Sequence, residues 1–339
     1  MTASKNTMLE LAEKYALYGK KKGASGVEVS IDEGSEFRAA VREGELETLT
    51  EAGSKDLQLR VFVDDKMATA SSSDFSDSTL TQLVDNAILR AKLGGKDPFA
   101  GLPKAEKLTA KAEELEIFDP AILELAPENK IAYAKKAEAT GLKQKGVTKS
   151  LGARFVTVDR TSTLVNSEGF SGSYRGTIGY ATAYFQAGEG DNLFQDGWFE
   201  GGTTLAKLPE PEVLATTATE RVTRLAGARK VETQNVPVVF EPRVTASLLL
   251  GFLARCVDGQ AVSQKQSFLV DKIGEKIASD RVTIIDDGLL PGCLGTAPFD
   301  SEGVPCRKTT VIDNGELRSY LLDTYYGRKL KMRSTGNAD

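Results

Sequence analysis

Residues 27–65 read VEVSIDEGSEFRAAVREGELETLTEAGSKDLQLRVFVDD, and this stretch decides the fold class. Apolar and polar side chains alternate in four runs, which Gly34, Gly44 and Gly53 separate. Alternation with a period of two places apolar side chains on one face of a strand and polar side chains on the other. The stretch therefore predicts an antiparallel meander with one solvated face.

Helical and strand-like patterns follow one another in the rest of the chain without βαβ alternation. The sequence thus favours an α+β fold with antiparallel sheets, flanking helices and several domains, and argues against a nucleotide-binding Rossmann domain. We predict an N-terminal domain over residues 1–110, a central β-rich domain over 111–230 and a third domain over 231–339. Helices are predicted at 5–22, 76–95, 127–142 and 210–226, long strands within 153–188, a strand at 236–240 and a hairpin at Asn314-Gly315.

The composition excludes several classes of function. A net charge of −5 and a pI near 5.3 argue against a nucleic-acid partner. No apolar run approaches the roughly 18 residues that span a bilayer, so no membrane association is expected. Three cysteines without a CxxC spacing indicate free thiols and a cytoplasmic location. The chain contains no histidine, which removes the Ser-His-Asp triad, the Cys-His pair and any histidine-bound zinc within these residues.

The stretch ASLLLGFLARCVDGQAV, residues 246–262, predicts an amphipathic helix that follows the strand at 236–240. Cys256 lies three, four and seven residues after Leu253, Phe252 and Leu249, so these side chains are expected to share a buried face. A buried thiol has a raised pKa and reacts poorly. The helix is therefore predicted to pack in the core, without a nucleophilic role for Cys256.

Three acidic clusters and one glycine-rich segment are weaker candidates for a site. Two carboxylates at the end of a strand can hold Mg²⁺, although a turn in which aspartate accepts backbone hydrogen bonds explains such pairs better. Residues 141–149, GLKQKGVTK, have the glycine spacing of a phosphate loop but carry Val147 where lysine is required. The acidic clusters are Asp64-Asp65, Asp286-Asp287, and Asp300 with Glu302.

The order and spacing of several segments resemble the TldD/PmbA (TldE) family, a metallopeptidase family also described as modulators of DNA gyrase. The resemblance is carried by VVFEP, SFLVDKIGEKIASDRVTIIDD, FDSEGVPCRKTTVIDNGELRSYLLD and STGNA in residues 238–338. GVEVSI and VNSEG fit the first and second domains of the same family, so the resemblance covers nearly the whole chain.

The resemblance implies a degenerate metal site. In the TldD branch the helix carries His-Glu-x-x-x-His, whose histidines bind zinc and whose glutamate activates water. Those positions fall on Gly251, Phe252 and Cys256 here, and the remaining ligand is expected beyond Asp339. The chain therefore resembles the PmbA/TldE branch, with no catalytic residue, metal or cofactor of its own.

The function implied is that of a subunit in a cytoplasmic TldD/TldE-type peptidase complex, in which a histidine-bearing TldD-like partner supplies zinc. Flexible or unfolded peptides would be the substrate, and Tyr174, Tyr180, Tyr184 and Trp198 either line a groove for them or pack in the sheet. Two alternatives stay open: a non-proteolytic, chaperone-like peptide-binding module, and a Mg²⁺-dependent hydrolase that uses the carboxylates. The ending STGNAD, with no closing element after it, is typical of an incomplete third domain.

Overall fold

A six-stranded antiparallel sheet runs through the first two thirds of the chain. The computed structural model describes residues 2–190 and 192–339. The spatial order of the strands is β3-β2-β1-β4-β5-β6, and every neighbouring pair is antiparallel. The strands are β1 (Gly26–Arg42), β2 (Glu45–Val63), β3 (Lys66–Ser72), β4 (Val147–Asn166), β5 (Ser171–Glu189) and β6 (Asn192–Gly202).

The first two strands are twice as long as predicted. Gly34 and Gly53 do not separate strands, because both lie inside continuous pairing between β1 and β2. A Cβ at Gly34 would stand 2.5 Å from the backbone oxygen of Asp159, so glycine allows β1 and β4 to approach closely. Gly44 alone of the three forms a turn, with a φ of 80°.

Two helical layers cover the same face of the sheet at its two ends. Near β1, β2 and β3 the core contains Tyr15, Val29 and Leu80, and near β4 and β5 it contains Phe155 and Phe185. All four predicted helices here are confirmed within a few residues. The helices are α1 (Thr2–Lys21), α2 (Asp77–Leu93), α3 (Pro120–Glu124), α4 (Pro127–Leu142) and α5 (Pro211–Thr223), with 3₁₀ turns at Ala112–Glu114 and Leu205–Lys207.

The last third of the chain has short elements around a core that includes Val257, Leu269 and Leu317. Asn314 and Gly315 have φ values of 48° and 84°, as a type I′ turn requires, and the predicted hairpin is confirmed. The elements are α6 (Pro242–Leu248), a π turn (Leu249–Leu253), α7 (Ala254–Val257), α8 (Gly259–Ser263), β7 (Ile284–Asp287), β8 (Lys308–Asp313), β9 (Glu316–Leu317) and α9 (Thr324–Lys329).

Two expectations for this region are wrong. Residues 236–240 are apolar, but they form no strand, because no other segment of the described residues pairs with them. The helix predicted at 246–262 begins earlier, contains the π turn and is interrupted at Asp258. Its side chains are not uniformly buried either: Leu249 and Phe252 are exposed, whereas Cys256 packs against the core.

The α+β fold class with antiparallel sheets is confirmed by this architecture. The main sheet crosses the boundary predicted at residue 110, since β1 pairs with β4 along almost its whole length. The three-domain division itself stays a prediction. In the part of the chain that the structure describes, no helix has both the length and the apolar character needed to cross a membrane.

Candidate functional site

The uncovered face of the main sheet and the loops of the last third enclose an open cleft of about 1390 Å³. Its floor is formed by side chains of β1, β2, β4 and β5, and its opposite wall by residues 286–306 and 336–339. The lining includes Asp32, Arg60, Arg160, Tyr174, Asp300 and Asn337.

Asp32 organises the floor of the cleft. Its Oδ1 accepts a hydrogen bond of 2.7 Å from Ser162 Oγ and one of 3.0 Å from Arg160 Nε. Asp32 lies directly opposite Ser162 in the register of β1 and β4, so strand pairing sets this contact. Tyr174 stands opposite Ser162 on β5, and burial raises the pKa of its hydroxyl. These groups offer hydrogen bonds and an aromatic surface.

Asp300 stands in the opposite wall and is buried. Three backbone N–H groups donate to its carboxylate and lower its pKa, but burial outweighs them and raises the pKa of Asp300 to about 6. The donors are Glu302, Val304 and Ala338, at 3.0, 2.9 and 3.0 Å.

Arg60 closes one end of the cleft and joins the sheet to the last third of the chain. Its guanidinium lies 2.9 Å from Glu28 and 3.1 Å from Glu302, and both carboxylates are buried. Glu302 also accepts a hydrogen bond of 2.9 Å from the backbone N–H of Thr324. Burial raises the pKa of Glu28, although Arg60 acts in the opposite direction.

Of the three acidic clusters that the sequence suggests, two contribute to the wall of the cleft and the third lies outside it. The Mg²⁺ candidates are occupied by protein donors: Asp287 accepts from the N–H of Leu289 at 3.1 Å, and Asp286 accepts from Asn337 Nδ2 at 2.8 Å. Asp64 and Asp65 form the exposed turn between β2 and β3. Across residues 2–190 and 192–339, no three Cys, Asp or Glu side chains converge as a metal would require.

The π turn at Leu249–Leu253 falls on the positions that resemble the His-Glu-x-x-x-His motif. In a regular α-helix, residues five apart point about 140° away from each other, because each residue turns the helix by about 100°. A π turn adds one residue to the helical turn and brings such positions closer to one face. The backbone around 251 and 256 therefore favours a pair five residues apart.

The side chains at these positions do not fit zinc. Gly251 has no side chain, and a Cβ placed there would meet nothing within 4 Å. Phe252 is exposed and stacks on Phe268, with ring centroids 6.0 Å apart. Cys256 is the one possible donor, and burial raises the pKa of its thiol. A single protonated thiol cannot replace two imidazoles and a carboxylate.

The four aromatic residues for which the sequence left both a groove lining and sheet packing open are dispersed. Tyr174 lines the cleft and packs edge-on against Phe299, with centroids 5.1 Å apart. Tyr184 is exposed on β5. Trp198 lies under the guanidinium of Arg243, 3.7 Å from the ring centroid, and Tyr180 lies on β5 outside the cleft.

The residues that shape the cleft were missed by sequence reasoning. Asp32, Arg60 and Arg160 carry no motif, and each stands on a strand with no distinctive spacing. The one available signal was the polar side of the alternating runs, since Glu28, Ser30 and Asp32 share that side of β1 and line the cleft.

Family models for the PmbA/TldA metallopeptidases match this chain in three places. Domain 1 matches residues 27–91, the central domain 120–226 and the C-terminal domain 233–339. Metalloprotease PmbA of Escherichia coli O157:H7 is 31% identical over 334 residues, which cover 98% of this chain and 72% of that protein. The chain belongs to the PmbA/TldD metallopeptidase family.

Other members of the PmbA/TldD family agree in sequence and fold. The metalloprotease PmbA homologue of Haemophilus influenzae is 27% identical and covers 97% of this chain and 73% of its own length. A crystal structure from Bacteroides thetaiotaomicron, described as a modulator of DNA gyrase, has a TM-score of 0.90 at 26% identity, over 97% of this chain and 75% of that one. TldE from Thermococcus kodakarensis shares the fold, with a TM-score of 0.87 at 22% identity over 96% of this chain and 73% of that one.

Proposed function

We propose that this chain is the metal-free subunit of a cytoplasmic TldD/TldE-type metallopeptidase complex. A TldD-like partner with the His-Glu-x-x-x-His helix would supply zinc and cleave the peptide bond. The observation that carries the proposal is the segment at 251–256, which begins in a π turn and has glycine, phenylalanine and a protonated thiol at the positions of the histidines and the glutamate. The names of the relatives as metalloproteases support a role in proteolysis.

In this proposal the cleft forms part of the substrate chamber. Its volume of about 1390 Å³ exceeds the roughly 300–1,000 Å³ of small-molecule pockets, so it has room for several residues of an extended peptide. Carboxylate, guanidinium and hydroxyl groups along the floor can bind main-chain amides without reading side chains. Such a lining suits flexible or unfolded peptides of varied sequence.

The proposal is tested by measuring bound zinc and peptide cleavage, first for the chain alone and then for its mixture with a TldD-like protein. Purified chain is assayed for metal by mass spectrometry and for cleavage of an unfolded peptide, alone and after mixing with a histidine-bearing TldD-like protein. We expect no zinc and no cleavage from the chain alone, and faster, chelator-sensitive cleavage from the mixture. Stoichiometric zinc in the chain alone would refute a metal-free subunit.

The second candidate is a non-proteolytic peptide-binding module, because the cleft is enclosed by this chain without any other protein. In that case the chain would bind unfolded peptides but would not co-elute with a TldD-like protein or change its rate of cleavage. Size-exclusion chromatography of the mixture separates the two candidates.

A further inference from the structure

One side of strand β2 is unpaired over half its length. Strand β3 pairs with β2 only from Leu57 onward, so no strand of the described residues covers residues 45–56 on that side. We call this segment the free edge. At about 3.3 Å per residue it is roughly 40 Å long. Every side chain from Glu45 to Ser54 is exposed, so no helix or loop shields it either.

The free edge lacks most of the features that protect natural sheet edges. Protected edges are short, bulged or covered, or carry proline or charged side chains, above all lysine. Residues 45–56, ELETLTEAGSKD, contain no arginine or proline, and their one lysine, Lys55, lies at the end next to β3 with its ammonium over the ring of Phe75. A bulge occurs near Glu47, where the register with β1 shifts, but from Thr48 to Asp56 the pairing with β1 is regular. This leaves a template of main-chain donors and acceptors to which another strand can add.

The charges of the free edge select its partner. Glu45 and Glu51 form no ion pair within 4 Å in the part of the chain that the structure describes, and Glu47 contacts Arg42 at 3.3 Å. Leu46 and Leu49 are exposed beside them. A complementary strand would therefore carry lysine or arginine together with aliphatic side chains.

A second copy of this chain is the competing partner for the free edge. Two copies related by a twofold axis would pair antiparallel, and like charges directly opposite each other destabilise a sheet. In the register centred on Leu46, Glu45 meets Glu47. In the register centred on Thr48, Glu45 meets Glu51. In the register centred on Leu49, Glu47 meets Glu51. In the register centred on Thr50, however, Glu45 meets Lys55. The edge carries four acidic side chains (Glu45, Glu47, Glu51 and Asp56) and one lysine, so a basic strand matches its charge better than a second copy does, and pairing between copies is the competing outcome of the test.

We propose that the free edge of β2 binds extended basic segments of polypeptides by strand addition, with Glu45, Glu47 and Glu51 selecting lysine and arginine. The inference rests on the proposed function, since it names the class of peptide that a peptide-holding subunit recruits. Recruitment would occur outside the cleft and would not require zinc.

The test measures binding of labelled ten-residue peptides to the full chain by fluorescence anisotropy. One peptide alternates lysine with valine and threonine, a second replaces every lysine by glutamate, and a third is the lysine peptide with alternate backbone nitrogens methylated. We expect the lysine peptide to bind at least tenfold more tightly than the other two, because the glutamate peptide loses the opposite-charge pairs and the methylated peptide loses the main-chain hydrogen bonds.

The decisive variant is Glu45→Lys/Glu47→Lys/Glu51→Lys, which should exchange the preference and bind the glutamate peptide instead. Its matched control, Glu124→Lys/Glu220→Lys/Glu232→Lys, makes the same change in net charge at exposed positions away from the edge and should keep the preference of the parent chain. Equal binding of the methylated peptide, an equal effect of the control variant, or dimerisation through the edge would overturn the proposal.

Cleavage of the same lysine peptide after mixing with a TldD-like subunit is recorded in parallel. Binding without any cleavage would count against the peptidase complex but not against the free edge. Cleavage that is unaffected by the variant, together with no binding by the isolated chain, would count against the free edge alone.

Discussion

Asp300 is the residue whose ionisation the fold opposes. Its three backbone donors stabilise the carboxylate, and yet burial in the wall of the cleft raises the pKa of Asp300 to about 6, from an ordinary 3.8. Cys306 lies in the same wall, and burial raises the pKa of its thiol to about 12. Neither side chain is therefore a ready nucleophile or a fully ionised ligand at neutral pH.

This makes stability depend on pH in a defined direction. A carboxyl group whose pKa is higher in the folded than in the unfolded state stabilises the fold at a pH below its pKa in the unfolded state. That stabilisation is lost as the pH rises through its pKa in the folded state. As the pH rises from about 4 to about 7.5, the free energy of unfolding of the parent chain should fall by up to about 3 kcal/mol relative to that of Asp300→Asn. Urea unfolding at both pH values measures this difference.

At the scale of single elements, the helix at 242–257 and the hairpin between β1 and β2 depend on unusual local geometry. The helix contains the π turn at Leu249–Leu253. The tip of the hairpin is held by Glu138 on α4, which accepts 2.9 and 2.8 Å hydrogen bonds from the backbone N–H groups of Glu43 and Gly44. Ser150 Oγ donates a third bond of 2.5 Å to the same buried carboxylate.

The π turn can be tested with engineered metal ligands. If it aligns positions five apart, Gly251→His/Cys256→His should bind Zn²⁺ more tightly than Gly251→His/Arg255→His/Cys256→Ala, in isothermal titration. A regular α-helix would favour the second variant, since residues four apart share a face there. Open space around Gly251 allows the new side chain. Tighter binding by the 251/255 pair would refute the alignment.

Removing Glu138 should loosen the hairpin. Glu138→Ala leaves two turn N–H groups and Ser150 without their acceptor, and we expect a loss of about 2–3 kcal/mol in the free energy of unfolding. Hydrogen exchange at Glu43 and Gly44 should become faster at the same time. Glu128→Ala, on an exposed position of the same helix, should change the free energy of unfolding by a few tenths of a kcal/mol at most.

At the scale of the whole molecule, Arg60 is a buried polar contact between the main sheet and the last third of the chain, beside others such as the hydrogen bond from Arg243 to the backbone oxygen of Phe199 on β6. It neutralises Glu28 on β1 and Glu302 in the wall of the cleft. A buried ion pair contributes little compared with apolar packing, but breaking one leaves an uncompensated charge. The attachment of the two parts therefore depends strongly on this guanidinium.

Arg60→Met should destabilise the protein by about 3–5 kcal/mol at neutral pH. The loss should be smaller near pH 4.5, because Glu28, whose pKa burial already raises, then takes up a proton. Adding Glu28→Gln/Glu302→Gln should recover most of the stability at neutral pH. Arg160→Met removes an ion pair at an exposed arginine and serves as the control, with an expected change below about 1 kcal/mol. An equal loss at both pH values would contradict the electrostatic explanation.

The agreement between sequence and structure depends on the range of the interactions. Helix α2 and the turn at Asn314-Gly315 were predicted because their signals lie within a few residues of each other. The strand at 236–240 was wrong because a strand needs a partner, and apolar alternation alone does not supply one. The π turn was not predicted, since nothing in the residue types of 249–253 indicates an extra residue in the turn.

The amino-acid sequence by itself determined that these residues lack an imidazole, and that alternating strands and amphipathic helices form an α+β fold of the PmbA/TldD family, whereas the length of the first two strands came from their pairing. Only the tertiary structure decided which carboxylates are buried, that Asp32 meets Ser162 and Arg60 meets Glu302, and that residues 45–56 keep one side unpaired. Composition and periodicity are local properties of the chain, whereas burial and strand pairing join residues that are up to 242 positions apart.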